Sequence, residues 1–425
     1  MKIGDKITVE IIDTNENGNG IARQEGAVVF VPKLLPGEKA EVLLTAQEKN
    51  YYIAECLRKI NESEDRIAEL CPSADDCGGC TLGFMKFDTE NIIKRNTVKA
   101  ALRRAGLPYD VVRETIFSES RAGYRNKISV HYSPLSEKFG YKREKSHEVI
   151  EFYRCLLCPE IINRIILWTN SHSELLSSLD PESLQIRTSS DGVTVSLYCN
   201  NLEQQVFDKY RCLLKREFAE ISEVLVFTKN IRTARITYIK DRIYGIAMSY
   251  TSEAFRQVNT PAFEKLLDIV HSFASECKFI YGADLYCGSG IIGLTLAKRF
   301  PSAVFWGIEI NSDAVKDAER NAAENGIDNI NFFAGDAATF GRRIPENKKP
   351  QLIVVDPPRA GLSKEMRSDL LRLSAERIIY VSCNPQTMAR DIALLCEAGY
   401  TLREAVPVNM FPLTKHCECV SYLCK

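Results

Sequence analysis

Apolar and polar residues alternate in short runs through the first sixty positions, at 6–12, 27–31, 39–44 and 51–57, separated by Asn15-Glu16-Asn17-Gly18-Asn19-Gly20 and Pro36-Gly37. A period of two bounded by turn residues predicts strands, and strands this short predict a small antiparallel barrel over residues 1–58. The period changes at Thr89: Ile92, Ile93, Val98, Ala101 and Leu102 recur at helical spacing until Gly106, which predicts a helix. Alternation returns from about 184 to 250 around a helical stretch near 203–219, so residues 59–250 read as a β-rich α+β domain. After Pro261, strands at 279–285, 304–310, 330–333, 352–355 and 378–382 alternate with helices. This pattern predicts a doubly wound parallel sheet over 251–425, with its chemistry just beyond the carboxyl ends of the strands.

Composition narrows the class. The 425 residues carry 55 Lys plus Arg against 56 Asp plus Glu, with 45% hydrophobic and 26% charged positions, which excludes wholesale disorder and fibrous repeats. The longest charge-free stretch, 285–297, holds 13 residues and three glycines, short of the roughly 18 that suggest a membrane span. The N-terminus has no continuous apolar core, so a cytosolic protein is expected. In that compartment 15 cysteines point to metal binding or thiol chemistry rather than to disulfides. The net charge of -1 averages over a local excess: residues 121–145 contain 7 basic and 2 acidic side chains among Tyr124, His131, Tyr132, Phe139 and Tyr141. Cations interleaved with aromatics fit a surface that neutralises phosphates and stacks bases. The barrel, with 7 basic and 9 acidic residues, offers at most a local binding face.

The strand ends carry the motifs. After the first strand comes Asp284-Leu-Tyr286-Cys-Gly288-Ser-Gly290-Ile-Ile-Gly293, with Glu309 following the second. Those glycines match a dinucleotide fingerprint with its ribose-binding acid. Asp284 at the strand end suits instead a cofactor with a cationic methionine end, so a nicotinamide and an S-adenosylmethionine enzyme both remain open. The fourth strand ends in Asp356-Pro357-Pro358-Arg359 and the fifth in Ser382-Cys383-Asn384-Pro385, where a thiol facing a bound cofactor is a candidate nucleophile. Glu418, in His416-Cys417-Glu418, is a candidate base. Cys71, Cys77 and Cys80 supply three of the four thiolates of an iron–sulfur or zinc site, with Cys155 or Cys158 as the fourth. Cys56, Cys199 and Cys277 have no role beyond packing.

Taken in order, Phe255-Arg-Gln257-Val-Asn259, Asp284 to Gly290, Asp356 to Arg359, Ser382 to Pro385 and His416 to Glu418 resemble the S-adenosylmethionine-dependent RNA 5-methyluridine methyltransferases over nearly the whole chain. The resemblance implies a C-terminal Rossmann-like methyltransferase domain, an N-terminal TRAM or OB-like β-barrel and a central domain with a [4Fe-4S] cluster and an RNA-binding surface. It also implies that the helix near 89–106 packs on the catalytic domain. Carried over residue by residue, it makes Cys383 the nucleophile and Glu418 the base. Gln257, Tyr286, Glu309, Asp336 and Asp356 would line the S-adenosylmethionine site. Cys71, Cys77, Cys80 and Cys155 would be the cluster ligands, Cys155 because it lies eight residues after His147. A barrel together with a cysteine cluster resembles the ribosomal RNA branch, so large-subunit ribosomal RNA is the expected partner, with a transfer RNA enzyme, or an inactive methyltransferase scaffold that binds RNA, as the alternatives. A monomer is expected.

Overall fold

The computed structural model describes residues 1–144, 146–228, 238–251 and 254–425. Lys145, the last cation of the basic segment, and part of the stretch read as alternating strands fall outside them. Residues 1–59 form β1 (Lys6–Glu10), β2 (Asp13–Thr14), β3 (Asn19–Gln24), β4 (Ala27–Pro32), β5 (Lys39–Gln47) and β6 (Tyr51–Lys59), ordered β1-β5-β6-β4-β3-β2. Because β2 continues from β1 along the chain, the sheet closes on itself around buried Val9, Val29, Val31, Val42 and Leu44. One pairing departs from the antiparallel expectation: β4 and β6 run parallel. Asn19 and Gly20, which read as turn residues, open β3 instead; a Cβ on Gly20 would lie 2.9 Å from Leu34.

The middle of the chain begins with α1 (Ala74–Cys77), α2 (Phe87–Arg104) and β7 (Ile116–Phe117). A six-stranded sheet follows, built from β8 (Lys127–Ser133), β9 (Lys138–Lys142), β10 (Val149–Glu151), β11 (Pro181–Ser189), β12 (Gly192–Cys199) and β13 (Ile221–Thr228) in the order β10-β9-β8-β11-β12-β13. The helices α3 (Glu160–Ser171) and α4 (Gln204–Glu217) complete its core, placing Ile162, Ile165, Phe207 and Tyr210 against the sheet. Aromatics of the basic segment turn toward this core. The pleat turns Phe139 fully inward and seats Tyr132 and Tyr141 against the same core. Among its cations, Lys138 pairs with Glu151 at 2.6 Å, Arg143 with Asp76 and Glu148, and Arg121 with Glu90 at 3.1 Å.

A hairpin of β14 (Tyr238–Ile243) and β15 (Ile246–Thr251) leads into the catalytic domain. There α5 (Thr260–Ser275), β16 (Tyr281–Leu285), α6 (Ile291–Arg299), β17 (Val304–Glu309), α7 (Ser312–Glu324), β18 (Ile330–Ala334), α8 (Phe340–Arg343), β19 (Leu352–Val355), α9 (Lys364–Leu373), β20 (Arg377–Ser382), α10 (Pro385–Glu397), β21 (Thr401–Asn409) and β22 (Glu418–Cys424) alternate around an eight-stranded sheet ordered β18-β17-β16-β19-β20-β22-β21-β7. The first five strands are parallel, whereas β22 runs antiparallel between β20 and β21. Val354, Ile379 and Phe305 are buried on one side, and Trp306, Ile353 and Tyr380 on the other. Each such side chain contributes roughly 1.5–3 kcal/mol when fully buried.

Two attachments cross the expected boundary at residue 250. The hairpin's edge is satisfied by α7: the amides of Ala247, Ser249 and Thr251 donate to Asn325, Asn321 and Asp317 at 2.8, 2.7 and 3.0 Å. Leaving those amides unpaired would cost free energy and invite edge pairing. The helix α2 places Val98, Ala101 and Leu102 in the catalytic core and packs against α10 and β21. Among the described residues, no helix is long and apolar enough to cross a membrane.

Candidate active site

At the end of β16, Tyr286 has φ +67°, and Gly288 and Gly290 have φ +55° and +90°, so the chain reverses sharply into α6. A Cβ on Gly290 would lie 2.8 Å from Phe332, whereas one on Gly288 would meet nothing within 4 Å. The Gly288 side of the turn is therefore open. Glu309, ending β17, accepts from the Gly288 amide at 3.1 Å and the Asn311 amide at 2.9 Å, fixing the turn against α7. Asp284 does not reach this opening, contrary to the reading of it as the carboxylate beside a cationic cofactor. It is 1% exposed and accepts from the Gly293 amide at 2.7 Å, bracing α6 from behind. Burial, opposed by that bond, leaves its pKa at about 7.

A cavity of about 1360 Å³ opens over these strand ends, lined by Gln257, Tyr286, Glu309, Asp336, Asp356, Cys383 and Glu418 among others. All seven residues singled out for cofactor and catalysis therefore meet in one space. Gln257 lies on a strap whose backbone accepts from Asn126 Nδ2 at 3.0 Å. Asp336 caps a short helical turn through the Ala338 amide at 2.9 Å.

Cys383 and Glu418 are 35 positions apart in the chain but adjacent in space. The last pair joining β20 to β22 is Ser382 with Cys419, and the next step beyond it on each strand is the thiol and the carboxyl. Burial, then Glu418, pushes the Cys383 thiol up to about 11, with Arg359 opposing. Burial and Asp356 raise Glu418 to about 8, and burial alone raises Asp356 to about 7. With that pKa Glu418 is mostly protonated at neutral pH. Two carboxyls held up in one buried corner favour a positively charged occupant, whose field would draw both toward ionisation.

Some of the supporting residues were not legible in the sequence. Asn384 accepts from the Gln386 amide to start α10 and donates to the Arg359 carbonyl at 3.0 Å, tying the two strand-end loops together. Thr387 donates to the same carbonyl at 3.1 Å. Arg359 lies 3.2 Å from His416 Nδ1, and burial with Arg359 nearby lowers that imidazole to about 4, so neutral Nδ1 accepts from the guanidinium. Arg125 lines the mouth of this cavity and also a second one.

The second cavity, about 570 Å³, is lined by Cys71, Cys77, Cys80 and Cys155, together with Tyr141 and Arg125. Cys158 is buried in the core of the central sheet and does not line the cavity. Burial, then Cys71, Cys155 and Cys77, pushes the Cys80 thiol well up. Among the described residues, no three His, Cys, Asp or Glu side chains converge closely enough to hold a single metal ion.

Parallel strands ordered β18-β17-β16-β19-β20, an open glycine turn, an acid ending the second strand and buried carboxyls that favour a cation define an S-adenosylmethionine-dependent methyltransferase. A dinucleotide-binding fold continues with a sixth parallel strand, where this sheet inserts antiparallel β22. The family model described as tRNA (uracil-5-)-methyltransferase matches residues 188–425, and the TRAM domain model matches residues 1–57. An uncharacterised RNA methyltransferase of Halalkalibacterium halodurans is 31% identical over 448 residues, covering 99% of this chain and 97% of that one. Another from Caldanaerobacter subterraneus is 31% identical over 99% of this chain and 98% of the relative. The Pyrococcus abyssi tRNA (uracil-54, C5)-methyltransferase, solved with S-adenosyl-L-homocysteine, shares the fold with a TM-score of 0.75 at 23% identity, over 98% of this chain and 99% of that one. The chain belongs to the tRNA (uracil-5-)-methyltransferase family and is an S-adenosylmethionine-dependent RNA (uracil-5-)-methyltransferase.

Proposed function

We propose that the protein methylates carbon 5 of one uridine in large-subunit ribosomal RNA through a covalent adduct between Cys383 and carbon 6. The observation that carries this reading is the meeting of Cys383 and Glu418 beyond the last β20–β22 pair, inside the cavity. Carbon 5 of uracil is a weak nucleophile. Addition of the Cys383 sulfur to carbon 6, its proton passing to the carboxylate of Asp356 so that Glu418 stays free for the later step, moves the ring electrons onto the carbonyl at carbon 4 and makes an enolate reactive at carbon 5. S-adenosylmethionine supplies an electrophilic methyl group on a sulfonium cation; Gln257, Tyr286, Glu309, Asp336 and Asp356 would hold it. After carbon 5 takes the methyl group, Glu418 removes the carbon-5 proton, the double bond re-forms and the thiolate leaves. A carboxylate whose conjugate acid sits at about 8 is a far stronger base than an ordinary one. The target base must be flipped out to reach this depth, at a cost of roughly a few kcal/mol.

In this reading Cys383→Ala abolishes methylation, and Glu418→Gln lets methyl transfer proceed but leaves RNA bound to the protein. Full turnover by both variants would overturn the assignment. The likeness across 98% of the chain to a transfer RNA enzyme favours transfer RNA as the second reading. Mapping 5-methyluridine in ribosomal and transfer RNA from cells with and without the protein separates the two.

Cys71, Cys77, Cys80 and Cys155 are proposed to hold a [4Fe-4S] cluster. Their lining of one cavity supports this set over one using Cys158. A brown anaerobic preparation containing iron is expected; a colourless one with stoichiometric zinc would overturn the proposal.

A further inference from the structure

The chain between β21 and β22, from Met410 to Cys417, carries Phe411 and His416 into the catalytic cavity and delivers Glu418 to it. Its middle is held in an unfavourable shape: Leu413 is 1% exposed and has φ +68°. A bulky residue in the left-handed region persists only where its surroundings force it there.

What forces it is an ionic node on α2. Glu90, fully buried, accepts from the Leu413 amide at 3.0 Å and from Asn409 Nδ2 at 2.9 Å. Lys94, 1% exposed, lies 3.1 Å from Glu90 and donates to Asn409 Oδ1 at 2.5 Å and to the Phe411 carbonyl at 2.9 Å. Arg121 donates to the other Glu90 oxygen at 3.1 Å and to the Met85 carbonyl at 2.8 Å. Two further bonds fix neighbouring carbonyls: Tyr124 to Pro412 at 2.9 Å and Asn259 to Met410 at 2.9 Å. Replacing a buried ion pair by apolar groups is often neutral for stability, so stability alone gives little reason for charged groups here. Glu90 holds the strap at the Leu413 amide and Lys94 at the Phe411 carbonyl, and both hold Asn409 just before it.

We propose that Glu90 and Lys94 are positioning residues for the methylation reaction: they hold the 410–417 strap so that Glu418 faces the carbon-5 proton. Neither touches substrate, and both act after methyl transfer, when the base is required. The inference rests on the covalent route proposed above.

The test uses the full-length protein, methyl-labelled S-adenosylmethionine and total RNA from cells lacking this protein. Label released as 5-methyluridine reports turnover, and label retained on the protein band of a denaturing gel reports an adduct stalled after methyl transfer. Lys94→Met keeps side-chain length and leaves Glu90 paired with Arg121. The retained fraction is expected to rise roughly tenfold, because small misplacements of a catalytic group cost up to about 100-fold in rate. The initial burst of methyl transfer should fall much less than turnover, since Glu418 acts only after the methyl group has moved. Hydrogen exchange over residues 409–418 should quicken. Glu90→Gln, which retains an acceptor for the Leu413 amide, should move both readouts the same way but less, and keeps the test available if Lys94→Met folds poorly. Unchanged exchange over 409–418, or slowed turnover without retained label while Glu418→Gln does retain it, would overturn the proposal. If Glu418→Gln itself never retains label, the covalent route fails instead, and the exchange result alone decides the clamp.

Discussion

Glu418→Gln should make the protein more stable at alkaline pH while destroying turnover, and the size of the effect follows from the site. The carboxyl is held at about 8 by burial and Asp356, against about 4.3 for glutamate in an unfolded chain. A group whose folded pKa is raised binds more protons when folded, so stability falls as pH rises between the two values. Between pH 5.5 and 8 the native acid remains mostly protonated while the unfolded one is ionised over nearly the whole interval. At 1.36 kcal/mol per pH unit the wild type therefore loses about 3 kcal/mol through this group. Glutamine mimics the protonated acid and does not titrate. Melting temperatures of the two proteins, matched at pH 5.5, should diverge to roughly 6–12 °C in favour of the variant at pH 8, taking about 2–4 °C per kcal/mol for a domain of this size. Parallel melting curves across that range would mean that Glu418 is not raised in the folded state, and the argument for its strength as a base would go with it.

Asn384→Ala removes both the start of α10 and the bond to the Arg359 carbonyl, and should cost about 1–2 kcal/mol in thermal unfolding, with a weakened response to added S-adenosylmethionine. Gly290→Ala puts a methyl group 2.8 Å from Phe332 at φ +90°; it should destabilise by about 1–3 kcal/mol, whereas Gly288→Ala, with open space around it, should cost less, and calorimetry distinguishes them. Cys155→Ser should lose iron and visible absorbance from an anaerobic preparation, while Cys158→Ser should keep both, as measured by metal analysis and absorption spectra.

The parallel strands and their loops were legible because each uses a local rule. Buried strands read as apolar runs, glycines mark the reversal after β16, and motif residues at strand ends project into the crevice that any doubly wound sheet forms there. Tyr286, Glu309, Asp336, Asp356 and Cys383 share one cavity for that reason. Which aromatics of the basic segment are covered was not legible, because they alternate across the pleat and composition carries no record of which face is buried. Asp284 misled for a similar reason: nothing local distinguishes a carboxyl that lines a crevice from one that braces the helix beneath it.

The sequence by itself determined the class of fold, the reactive groups and the cysteines available to a cluster, since these depend on residue type and spacing. Only the tertiary structure decided that β22 runs antiparallel beside β20 and brings Glu418 next to Cys383. It also decided that Cys71, Cys77, Cys80 and Cys155 line one cavity, and that Glu90 and Lys94 are buried against a strap more than 300 positions away. Long-range pairing and burial set those outcomes, and burial, by removing water from ionisable groups, sets their proton affinities as well.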